Sequence, residues 1–166
     1  MPTFVQIERL ENFVFQEVEY FSVRDENLEL CEFERFLVKH MELPEIETEF
    51  GDLLAWLERL GMDGAEQRFF RHEQRAQALP PPLEYLGIDY EKHLRLYCLR
   101  LSDRAVFLFS GGIKSAARAQ DCPNVAPHFY NAQQYCKKIK EMLDHKELIL
   151  EPGTEQLFIN TEGFYL

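Results

Sequence analysis

LRLYCLRLSDRAVFLFSGGIK, residues 94–114, is the most strongly patterned stretch of the chain. Two runs of aliphatic, aromatic and β-branched residues, 94–101 and 105–109, flank Ser102, Asp103 and Arg104, which predicts a β-hairpin closed by a short polar turn. Side chains alternate along a strand, so Arg95, Tyr97 and Leu99 are expected on one face, with Leu94, Leu96, Cys98 and Arg100 on the other. Two readings of the first face stay open. Arg95 and Tyr97 form an exposed pair that holds a phosphate and stacks a base, or Tyr97 is core and Arg95 is paired with acids elsewhere. Gly111 and Gly112 then mark a place where the backbone turns or approaches another segment closely, beside Lys114.

Upstream, TFVQIERL and VFQEVEYFSV alternate apolar and polar residues, predicting two antiparallel strands joined at Glu11 and Asn12. The spacing Leu30, Phe33, Phe36, Leu37 predicts a helix over 28–41, with acids early and Lys39 late as the helix dipole favours. A second helix is predicted over 47–60, ended by Gly61, and a third over 65–79, broken by Pro80, Pro81 and Pro82, which read as a rigid extended spacer. Downstream, 123–127 reads as a loop. Phe129, Ala132, Gln133, Cys136, Ile139 and Leu143 mark a helix to about His145, and 156–160 reads as a short strand. The class is α+β.

A length of 166 residues suits a single domain, with 46% hydrophobic and 13% aromatic residues excluding a disordered chain. No apolar run reaches the length of a membrane span, and MPTFVQIERLENF lacks the basic start and apolar core of a secretion signal, so a cytoplasmic location is expected. The net charge of −11 hides a segregation. Residues 1–52 hold 14 acids against 4 Lys and Arg, whereas 92–140 hold only Asp103 and Asp121 against nine Lys and Arg. A basic block between acidic flanks suits either internal charge complementarity or a phosphate-binding surface.

Motif chemistry excludes more than it nominates. Cys31, Cys98, Cys122 and Cys136 form no CxxC pair, and His40, His72, His93, His128 and His145 are too dispersed for a metal site, so no metal or cofactor is expected. Cys98 reads as a small buried hydrophobe, and no cysteine is assigned a catalytic role. SGGIKSA lacks the spacing of a nucleotide-binding phosphate loop.

RFFRHE, then LRLYCLRLSDRAVFLFSGGIKSA, then the helix over 128–145 together resemble the RelE/HigB-like toxins of bacterial toxin–antitoxin pairs, in particular their larger Bacteroidetes-type members. The resemblance covers residues 65–145. It implies a RelE-like fold, with a small antiparallel sheet packed against helices; an acidic extension over 1–52, which has no counterpart in the minimal toxin, and a tail over 146–166 are read as parts of the same single domain. It also implies metal-independent, ribosome-dependent cleavage of mRNA by 2′-OH attack, and an antitoxin as protein partner. Carried over by position, Arg95, Lys114 and Tyr97 are the implied catalytic residues, and Arg71, Lys92, His93, Arg100, Arg104 and Arg118 the implied RNA contacts. The chain departs from the family in its acidity and in having Gly112, Ile113 and Lys114 where members carry a phenylalanine and two lysines. Two expectations follow: the acidic 1–52 segment masks the basic hairpin, or the fold serves as a non-catalytic module that binds RNA or a basic protein.

Overall fold

The computed structural model describes residues 2–166. The chain runs β1 (Phe4–Arg9), β2 (Glu19–Asp25), α1 (Glu32–His40), α2 (Glu47–Asp63), β3 (Arg71–Glu73), β4 (Ala76–Leu79), α3 (Leu83–Leu86), β5 (His93–Ser102), β6 (Ala105–Lys114), α4 (Ala126–Asp144), β7 (Leu148–Leu150), β8 (Leu157–Ile159) and β9 (Gly163–Tyr165). Seven strands form one sheet in the order β3-β4-β5-β6-β2-β1-β9, and β7 and β8 form a separate ribbon. The class is α+β as predicted, but the sheet is larger than a small antiparallel one and β2 runs parallel to β6.

The hairpin of β5 and β6 lies at the middle of this sheet, and both its faces are covered. Tyr97, Phe107 and Phe109 pack with Phe129, Ala132 and Ile139 of α4. Leu96, Cys98, Val106 and Leu108 pack on the opposite side with Phe33 and Phe36 of α1 and Leu53 and Leu57 of α2. This is why the two runs are almost continuously apolar: a strand buried on both faces has no need of polar alternation.

Several local expectations are corrected. Residues 65–79 form no helix but a short 3₁₀ turn and the β3–β4 hairpin, because Ala76, Ala78 and Leu79 are buried against β5 and that packing overrides helix propensity. Gly61 does not end α2. A Cβ there would lie 2.4 Å from the Phe15 ring, so the glycine is a packing site, and Gly64, with φ of +109°, ends the helix three residues later. Gly111 and Gly112 lie inside β6 and make no turn. A Cβ on Gly111 would lie 1.8 Å from the Arg95 carbonyl oxygen, and one on Gly112 would lie 2.6 Å from that of Asn124. Of the two alternatives read from the sequence, close approach is the correct one.

The acidic segment 1–52 is not an appendage. β1 and β2 are inner strands, Ser22 Oγ donates to the Leu108 carbonyl (2.6 Å) and Tyr20 to that of Leu57 (2.6 Å). The connection between these strands is also longer than the predicted turn at Glu11 and Asn12, since β2 begins only at Glu19. No helix among the described residues is long and apolar enough to cross a membrane.

Candidate functional site

The register of β5 with β6 places His93 opposite Lys114 and Arg95 opposite Gly112, at the end of the hairpin away from its turn. On the next strands Arg71 pairs with Ala78, and Ala78 with Tyr97, so Arg71 and Tyr97 fall in one row across the sheet. Arg71 donates from Nε to the Pro80 carbonyl (2.8 Å) and from Nη2 to that of Pro81 (3.0 Å), which fixes its guanidinium beside β5. The prolines contribute these carbonyls as hydrogen-bond acceptors, a role the sequence reading did not give them.

Arg95 is 9% exposed and Tyr97 0%, so the exposed phosphate-and-base pair is corrected. The alternative is corrected in part as well. Tyr97 is core, packed edge-on to Phe129 with ring centroids 5.9 Å apart, but Arg95 makes no ion pair among the described residues. Its Nη1 donates to the Leu94 carbonyl (3.0 Å), while Arg95 Nε and the Tyr97 hydroxyl have no partner among the described residues. Burial, and next the nearby Arg71 charge, lower the Arg95 pKa to about 10, with Tyr97 and Glu73 acting in the opposite direction. Burial and the Glu73 charge raise that of Tyr97, which stays a protonated donor. Two guanidiniums that repel each other, one of them with an unused buried Nε beside a buried hydroxyl that also lacks a partner, form a place where an anion would lower the energy of its surroundings.

Two further groups belong here that the sequence reading missed. Glu73, two residues along β3 from Arg71, acts electrostatically on both Arg95 and Tyr97. The thiol of Cys122 sits at the start of the segment that covers Gly112, where its Sγ accepts from the Ser115 N–H (3.2 Å) and lies 3.1 Å from Ser115 Oγ. Burial raises the Cys122 pKa, but hydrogen bonds from Ser115 and from the backbone of Asn124 and Val125 outweigh it and bring the thiol to about 7. The only hint in the sequence was the two adjacent glycines, which signalled that some segment packs closely there.

The other implied RNA contacts are not gathered at this end. Arg100 is turned to the opposite face, where Nε donates to the Ala65 carbonyl (2.6 Å) and Nη2 binds Asp103. Arg104 pairs with Glu17 (2.7 Å), and Arg118 lies 3.9 Å from Asp121. Arg100 lies five positions along β5 from Arg95, about 17 Å. Lys92 and His93 are exposed beside Lys114, with His93 lying 3.5 Å from Asp89. The groups gathered at this end are therefore Arg71, Glu73, Arg95, Tyr97, Lys114 and Cys122, with Lys92 and His93 exposed beside them.

The chain matches no protein-family model, no curated protein and no solved structure. Away from this site, Glu8, Cys31 and Glu34 bring three potential metal-ligand atoms within 4.8 Å of one another. Their chemistry is already satisfied: Glu34 accepts from the Cys31 N–H (3.0 Å), Arg24 pairs with Glu8, and burial pushes the Cys31 thiol up to about 11.

Proposed function

We propose that this chain is a RelE/HigB-like toxin that cleaves RNA by metal-independent transesterification, with Arg71 and Arg95 gripping the scissile phosphate. The observation that carries the reading is the pair of unpartnered buried donors, Arg95 Nε and the Tyr97 hydroxyl, beside a second, repelling guanidinium. In this reaction the ribose 2′-oxygen attacks the adjacent phosphorus and its proton passes to a base. The bond to the 5′-oxygen breaks, that oxygen takes up a proton, and a 2′,3′-cyclic phosphate remains. In our reading Glu73 is the base, Tyr97 donates to the leaving oxygen, and Arg71, Arg95 and Lys114 neutralise charge on the phosphoryl oxygens. An antitoxin encoded beside the gene and the translating ribosome are the partners this function requires.

Inducing the protein in a bacterial host and mapping RNA ends tests this. Growth arrest with new 2′,3′-cyclic ends is expected, abolished by Lys114→Ala and by Arg95→Met in variants that remain folded. No arrest and no new ends from soluble, folded protein would overturn it. The second reading, a non-catalytic module of the same fold, is favoured by one observation: Arg95 and Tyr97 are at least nine-tenths buried, which suits an anion held more than a reaction performed.

A further inference from the structure

We propose that the groove between β5, the C-terminal half of α4 and β7 is a docking site for an amphipathic helix of a second protein that carries acidic residues along one flank. Its floor is apolar: Leu99 and Leu101 of β5, Leu143 of α4 and Leu150 of β7 line a depression of about 270 Å³, and all four are only partly buried. Arg75, on the turn between β3 and β4, and Lys140, on α4, stand on its rim, both exposed. Neither makes an ion pair among the described residues, whereas Arg100, which also borders the groove, is committed to Ala65 and Asp103 on the other face. Lys137, one helical turn before Lys140, extends the positive flank.

Size and charge together select the occupant. Pockets that enclose a whole small ligand start at about 300 Å³, so this groove suits one or two apolar side chains at a time. An α-helix delivers side chains in that way, from positions i, i+3 or i+4, and i+7 on one face. The exposed cations Arg75 and Lys140 lie along one flank although the chain's net charge is −11, so local charge complementarity favours a helix with acids at that flank over a basic or neutral one. The connection between β7 and β8 carries Glu151 and Glu155, so acids on the partner are matched at the flank of Arg75 and Lys140 rather than toward that connection. This inference is independent of the RNA reading, because none of these residues belongs to the Arg71–Arg95 site.

The test uses the full chain and three fluorescent 18-residue helical peptides with leucines at i, i+4 and i+7: one with glutamates along one flank, one with lysines in their place, and one with the glutamates kept and the leucines replaced by serine. Fluorescence anisotropy is expected to show binding of the first peptide at least tenfold tighter than of either other. Arg75→Glu with Lys140→Glu, at two exposed positions, should invert the preference between glutamate and lysine peptides while the thermal unfolding curve stays in place. Equal binding of the glutamate and lysine peptides, no binding of any of them, or an unaltered preference in the double variant would each overturn the proposal. Displacement of the glutamate peptide by decanoate at lower concentration than by unlabelled peptide would also overturn it in favour of a lipid carboxylate. Concentration-dependent self-association abolished by the double variant would overturn it in favour of a second copy of this chain.

Discussion

The two ends of the β5–β6 hairpin carry the same kinds of side chain and treat them in opposite ways. At the turn, Arg100, Asp103, Arg104 and Glu17 are matched with one another, Arg100 also serves the Ala65 carbonyl, and Ser102 Oγ donates to that of Glu155 (2.8 Å). At the open end, Arg95 is the more buried arginine and the less satisfied one, and Tyr97 beside it has a hydroxyl with no partner among the described residues. Charge at the turn stabilises the fold. Charge at the open end is held at a cost to it, and groups kept under such a cost are candidates for function.

The largest effect available at the open end is steric. In Gly111→Ala the new methyl would lie 1.8 Å from the Arg95 carbonyl oxygen, a backbone atom, so the two central strands must part. A loss of about 3 kcal/mol or more, a fall in Tm of roughly 6–12 °C for a chain of this size, is expected in thermal unfolding followed by circular dichroism. Next comes a contrast of sign. Arg100→Ala removes a charged donor from the Ala65 carbonyl and should destabilise by about 2 kcal/mol, whereas Arg95→Met replaces an unpaired buried charge by an apolar chain and should be neutral or stabilising by about 1 kcal/mol. Denaturant midpoints of the two variants measure this, and equal losses would remove the distinction between the ends. Added phosphate should raise the Tm of the unsubstituted chain and leave that of Arg95→Met unchanged.

Cys122 makes the open end sensitive to pH. Its folded pKa of about 7 lies below that of an ordinary thiol, so the stability it contributes is full above the unfolded value of about 8.5 and is lost as pH falls through 7. Between pH 9 and pH 6.5 a loss of about 1–2 kcal/mol is expected, and Cys122→Ala should flatten the profile over that window.

How much of this was readable from the residues differs between the same two ends. The hairpin, its alternation and the helix after it were legible because their apolar periods are long and uninterrupted, and the Ser102–Arg104 turn is chemically explicit. Residues 65–79 were misread because the small apolar pattern of Ala76 and Ala78 suits a helix as well as an edge hairpin, and only contact with β5 decides between them. Burial of Arg95 was equally invisible: period two gives its face, but whether a helix covers that face depends on where α4 returns. Glu73 and Cys122 reach the site through strand pairing and through the approach to Gly112, neither of which has a local signature.

The smallest expected effect bears on the acidic segment. Arg104 with Glu17 (2.7 Å) joins the basic block to residues 1–52, and their side chains are 43% and 30% exposed. An ion pair so wetted contributes less than about 1 kcal/mol, so Arg104→Gln should move the denaturant midpoint by little and lose even that effect in 1 M salt. If residues 1–52 acted as a detachable mask held by charge, the same substitution would increase RNA affinity in a filter-binding assay. An unchanged affinity is expected instead, because β1 and β2 are inner strands of the sheet and loosening one surface contact does not release them.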